Sequence, residues 1–136
     1  MKSFVALRIS GNELNTNIIS EELGIIPHYT QKKGNPIISK YTNEIAGHYK
    51  EDCWIYEIES NCNDTTEMCL ERLSLAILPH SKYLKTLSAK HNVTIWVSIY
   101  PDDEQNNLHL SENTLKVICE TGATLDINTL FLKAFY

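Results

Sequence analysis

The sequence predicts an α+β sandwich in which helices pack on one face of an antiparallel or mixed sheet. Three observations point there. The segments "SFVALRIS" (3–10), "CWIYEIES" (53–60) and "VTIWVSIY" (93–100) are apolar and β-branched or alternate with the strand period of two. Helical stretches with their own start and stop residues lie between and after them. Strands flank three helical regions along 136 residues, the length of one domain (1–136) that can bury a real core.

The first strand, 3–10, turns at "GNEL". Asn15 caps a short helix over "TNIISEEL", which points Ile18, Ile19 and Leu23 inward and ends at a left-handed Gly24. Residues 27–51 hold Pro27, Gly34, Pro36 and Gly47 without a sustained period; they read as a long loop with one or two short edge strands near "PIISKY". In 53–60, Trp54, Tyr56 and Ile58 share one face, and Cys53, Ile55, Glu57 and Glu59 the other. "DTTE" offers a capping box from Asp64 to Glu67, and Pro79 interrupts the helix that follows. A second helical piece runs through Tyr83, Leu84 and Leu87. Strand 93–100 turns Val93, Ile95, Val97 and Ile99 to one side. Beyond a polar loop, "LHL" reads as a short strand, Ser111 caps "ENTLKVICET" up to Gly122, and "ATLDINTLFL" closes with Leu125, Ile127 and Phe131 on one side. A ferredoxin-like two-layer arrangement fits this order best.

The net charge of −5 is unevenly spread: residues 1–50 carry six Lys/Arg against four Asp/Glu, residues 51–136 six against thirteen. Nucleic-acid binding requires phosphate neutralisation, so an acidic surface disfavours it and favours a basic protein partner. No apolar run approaches the roughly 20 residues of a membrane span. The N-terminus alternates like a strand and has no signal-peptide cleavage pattern, so the expected setting is cytoplasmic, with Cys53, Cys62, Cys69 and Cys119 as reduced thiols. Neither these cysteines nor the five histidines have the paired spacing of a metal site.

Candidate chemistry is sparse. The basic stretch "PHYTQKKGNPI" places its lysines before Gly34 with no helix after it, so it is no phosphate-binding loop. Lys32, Lys33, Lys40 and Lys50, interleaved with Tyr29, Tyr41 and Tyr49, could touch nucleic acid weakly. Guarding an exposed strand edge is their simpler role. Cys53 with His48 is the nearest nucleophile–base pair, yet Cys53 precedes a tryptophan in a strand, as core thiols do. Glu57 and Glu59 share a strand face but read as solvated side chains. No catalytic constellation, metal or cofactor is expected.

The strand "FVALRISGNEL", the helix end "EELGIIP", the "KKG" loop, "GHYKEDCWIYEIES" and the later "VTIWVSIY" together resemble a bacterial family, the domain-of-unknown-function family four-two-seven-nine. The resemblance runs in order along nearly the whole chain, departing where "HYTQ" replaces a more usual aromatic or arginine-bearing run. The family has no established catalytic residues. Some relatives lie beside toxin genes, which implies a binding role as an immunity protein. On that reading the acids Asp102, Asp103 and Glu104, extended by Glu51 and Asp52, would contact a cognate toxin that is basic. The alternative is a regulatory module for a small ligand, bound on the sheet face opposite the helices or under residues 27–51.

Overall fold

The computed structural model describes residues 2–60, 63–100 and 107–129, with the backbone alone for Lys2 and Glu59. Among these residues, seven strands and four helices follow in the order β1 (Lys2–Gly11), α1 (Thr16–Leu23), β2 (Tyr29–Gln31), β3 (Pro36–Ile38), β4 (Ile45–His48), β5 (Asp52–Glu59), α2 (Thr66–Ile77), α3 (Ser81–Ser88), β6 (Asn92–Tyr100), α4 (Glu112–Thr121) and β7 (Thr124–Thr129). The main sheet has the order β2-β5-β1-β6-β7. β1 runs antiparallel to both β5 and β6, β2 antiparallel to β5, and β7 parallel to β6.

This order explains the architecture. Helix α1 joins β1 to β2 across the intervening β5, and α2–α3 join β5 to β6 across β1. These are the two interleaved split β-α-β units of a ferredoxin-like sheet. The α4–β7 segment adds a fifth strand through a helical crossover, which a parallel pair requires, so the sheet is mixed. Between β2 and β5 the chain makes a separate two-stranded sheet of β3 and β4. The 27–51 segment is thus more ordered than a loop, with one strand on the main sheet's edge and a hairpin of its own.

All four helices feed one core. Ile19 and Leu23 of α1, Cys69, Leu70, Leu73 and Ile77 of α2, Leu84 of α3, and Val117 and Ile118 of α4 cluster with Val5, Leu7 and Ile9 of β1, Trp54 of β5 and the four apolar residues of β6. Register makes this possible. Ile9 lies opposite Trp54 and Val93, and Leu7 opposite Tyr56 and Ile95, so matching faces of three long strands meet the helices. Ile18 turns out of this layer, at 49% exposed.

The helix ends follow their caps. Asn15 and Ser111 accept from the backbone N–H three residues on, and Gly24 and Gly122 take left-handed φ values of 65° and 71°. A Cβ at Gly122 would also meet Ser88 Oγ, so the serine side chain would have to move. Helix α2 is capped by Thr65, whose side chain accepts from Met68 N, and not by Asp64. Asp64 is diverted because its two oxygens hold Arg72 at 2.8 and 2.9 Å. Pro79 falls in a 3₁₀ turn, Leu78–His80, where a missing N–H is tolerated between α2 and α3. "LHL" is not a strand. Leu108 and Leu110 pack on the core while His109 N donates to Glu67 Oε1 at 2.9 Å, so no neighbouring strand supplies a ladder. Phe131 and Cys62 lie outside the described residues; Cys53, Cys69 and Cys119 are free thiols.

Candidate functional site: the uncovered sheet face

Asp52 and Glu51 fall at the start of β5 and have different fates. Asp52 is only 8% exposed, and both its oxygens are taken: Lys33 N donates to Oδ1 at 2.7 Å and Leu14 N to Oδ2 at 2.9 Å. These two backbone bonds, Lys33 first, hold its carboxyl below the ordinary value, helped by the Lys32 and Lys33 charges and opposed by burial. Asp52 is therefore a tether joining the β1–α1 turn to the start of the hairpin segment, and its oxygens are not free for a partner. Glu51 is half-exposed, with Oε1 3.4 Å from Arg8 Nη2. Arg8 Nε also donates to Cys53 Sγ at 3.3 Å, and this contact, ahead of Glu51, raises the Arg8 pKa against the effect of burial. The Cys53 thiol is itself buried, while His48 sits in β4 opposite Pro36. Asp102, Asp103 and Glu104 lie outside the described residues.

The basic segment is knitted to the sheet. His28 N donates to Ile55 O, and His28 Nδ1 accepts from Glu57 N at 3.1 Å, so the imidazole continues the β2–β5 ladder where β2 has not begun. The ring also lies 5.3 Å from that of Tyr56. Tyr29 donates to Tyr49 Oη at 2.8 Å, and this bond, with burial adding, pushes the Tyr29 pKa up to about 12. Lys33 Nζ reaches Asn12 Oδ1 at 3.3 Å. A polar cavity of about 430 Å³ opens beside this segment, lined by Asn15, Thr16, Gln31, Lys32, Asn35 and Asp52 among others.

The feature with the broadest chemical reach is the sheet face that the helices leave bare. Among the described side chains, those of alternate parity point there: Phe4, Ala6, Arg8 and Ser10 from β1, Cys53, Ile55 and Glu57 from β5, Thr94, Trp96, Ser98 and Tyr100 from β6, and Thr124, Asp126 and Asn128 from β7. Phe4 and Tyr100 meet edge to face at 6.1 Å. Trp96 lies opposite Ala6 on β1 and beside Asp126 on β7, and stays 40% exposed. A recess of about 210 Å³ is lined by Arg8, Thr94, Trp96, Asp126, Ile127 and Asn128. Reading of β6 for its core face missed Trp96, although a large aromatic among threonine and serine on the polar parity is itself a signal. A second surface groove, about 600 Å³, runs between α2 and α4 past Leu75 and Leu78, which are 70% and 44% exposed.

Among the described residues, no group of three His, Cys, Asp or Glu could hold a metal ion, and no helix is long and apolar enough to cross a membrane. Among the described residues, the chain forms a ferredoxin-like α+β fold with one sheet face that the helices do not cover. The chain belongs to the family described as Domain of unknown function (DUF4279), whose family model matches residues 1–132. No curated protein and no solved structure matches it.

Proposed function

We propose that this domain is a cytoplasmic immunity-type binding protein that neutralises a toxin made by the same bacterium, docking it on the uncovered sheet face to occlude the toxin's active site. The observation that supports this reading is the composition of that face. Trp96, Phe4 and Tyr100 supply the aromatic anchors on which protein interfaces concentrate their energy. Around them, among the described side chains, Glu51, Glu57 and Asp126 outnumber Arg8, whose charge is already met by Glu51. A surface of this sign steers a basic partner and penalises nucleic acid. At ordinary strand spacing the face measures roughly 20 by 30 Å, or about 600 Å². That approaches the ~800 Å² per partner of a standard protein interface. The toxin as partner comes from the gene neighbourhood that the family resemblance implies.

A small-ligand module is the second reading, favoured by the 430 Å³ cavity beside residues 29–35, which falls within the usual ligand range of ~300–1,000 Å³. The recess at Trp96 is below that range, so the sheet face suits a broad partner better than an enclosed one.

The test uses the purified product of the gene next to this one as the candidate toxin and measures association by stopped flow. Changing the acidic run by Asp102→Lys, Asp103→Lys and Glu104→Lys together should slow association and flatten its salt dependence. Leu75→Glu, in the groove between α2 and α4, should leave binding intact. Loss of binding through Leu75→Glu, with the acid changes silent, would move the interface to the helical side. A metabolite that raises the melting temperature while the toxin does not bind would favour the second reading.

A further inference from the structure

Trp96 breaks the pattern of its own strand. β6 buries Val93, Ile95, Val97 and Ile99, and its other parity carries Thr94 and Ser98, the small polar residues that suit a wet face. A tryptophan between them holds an apolar ring in water without completing the core. Its neighbour across β1 is Ala6, too small to cover the ring. Arg8 lines the recess, but its guanidinium is committed towards β5, to Cys53 Sγ and Glu51 Oε1. On the other side, Asp126 stands level with Trp96, one strand spacing away at about 4.8 Å, and Asn128 follows on the same face of β7. Asp126 is exposed and has no hydrogen-bond or ion-pair partner among the described residues.

These residues supply a part-exposed indole, an adjacent unpaired carboxylate and an amide, around a recess sized for one side chain. We propose that this recess receives an arginine side chain of the protein partner, its guanidinium stacked on Trp96 and its charge met by Asp126. Stacking on the indole uses the plane of the guanidinium and leaves its edge N–H groups free. Asp126 accepts from that edge, and the Asn128 carbonyl takes a remaining donor. A lysine ammonium has the charge but neither the plane nor the fork. A nucleobase could use the same ring, but its phosphates would then lie over Asp126 and near Glu57. This assignment rests on the sheet face being a protein interface, and it specifies what that interface reads.

The chain has two tryptophans, so its indole N–H resonances provide one reporter and one internal control. Titration with acetyl-glycyl-arginyl-glycinamide at low salt should shift the Trp96 indole resonance along a saturating curve and leave that of buried Trp54 in place. The citrulline peptide, equal in shape but uncharged, should shift it little. Asp126→Asn should weaken the arginine response roughly tenfold, the size of a charge-assisted contact at a partly exposed site, with an unchanged melting temperature. Equal responses to arginine and citrulline, or no Trp96 response to either, would overturn the proposal. A response to adenosine monophosphate with none to the arginine peptide would also overturn it, in favour of base stacking. The two readings can fail separately. If the arginine peptide is silent but Trp96→Ala abolishes toxin binding, only the arginine assignment falls. If the peptide titrates but Trp96→Ala leaves toxin binding intact, the interface reading falls.

Discussion

The two tryptophans sit on the two strands that flank β1, and they differ in almost everything except residue type. Trp54 lies opposite Ile9, is fully buried, and donates its indole N–H to Ser20 Oγ of α1 at 3.0 Å. Trp96 lies opposite Ala6 and leaves 40% of its surface in water. The difference is one of parity. Val5, Leu7 and Ile9 carry one face of β1 into the helices, while Phe4, Ala6, Arg8 and Ser10 carry the other away from them. One side of the sheet is closed by four helices. On the other, Ala6 and Ser10 are buried at the level of the sheet while larger side chains stand around them.

The largest effect should come from the closed side. Trp54→Ala removes the largest fully buried side chain and leaves a cavity between α1 and the sheet. It should cost about 3–5 kcal/mol in chemical denaturation, the range for a buried large aromatic. Any loss of partner binding should then follow unfolding and disappear where the variant is held folded. A Trp54→Ala protein that keeps its stability but loses its partner would erase the distinction between the faces.

Next in size is Asp52, whose carboxylate contrasts with the exposed Asp126. Asp52→Ala leaves the Leu14 and Lys33 N–H groups without their charged acceptor and should cost about 2–3 kcal/mol, as for a buried charge-assisted bond. The pH dependence has a definite sign. The folded-state pKa of Asp52 is lowered, so its contribution is complete above the ordinary value near 3.8 and is lost as the pH falls through the lower folded value. The stability gap between the native protein and Asp52→Ala should therefore be wide at neutral pH and close in strong acid. A gap that stays constant down to the acid limit would show that the carboxylate is not bound as described.

Much of this layout could be read from the chain because it is set locally. The alternation of 53–60 and 93–100 fixes which residues face the helices, and Asn15, Ser111, Gly24 and Gly122 mark helix ends through bonds within a few residues of themselves. What was misread depends on distant partners. Asp64 looks like a cap until Arg72 comes round one helical face to claim it, leaving Thr65 at the cap position. Asp52 looks like a surface acid until the fold brings up Leu14 N and Lys33 N, 38 and 19 residues away. The β3–β4 hairpin lacks periodicity because its strands are short and largely exposed. For the candidate site, sequence reasoning weighted charge runs such as 102–104 and passed over Trp96, whose meaning comes from the bare face around it.

The smallest effect on stability should belong to Trp96. Its Ala variant loses contacts on a sheet surface, where cross-strand pairs contribute about 0.2–1 kcal/mol each. The melting temperature should fall by no more than a few degrees, since about 1 kcal/mol corresponds to roughly 2–8 °C in domains of this general size. Binding should respond in the opposite order. Loss of an aromatic anchor at the centre of an interface typically costs about 2 kcal/mol or more, near thirtyfold in Kd. Measured side by side, Trp54→Ala should be unstable and Trp96→Ala stable but unable to hold its partner. If Trp96→Ala is both stable and fully competent, the bare face is only a wet side of the sheet, and the groove beside Leu75 and Leu78 becomes the next surface to test.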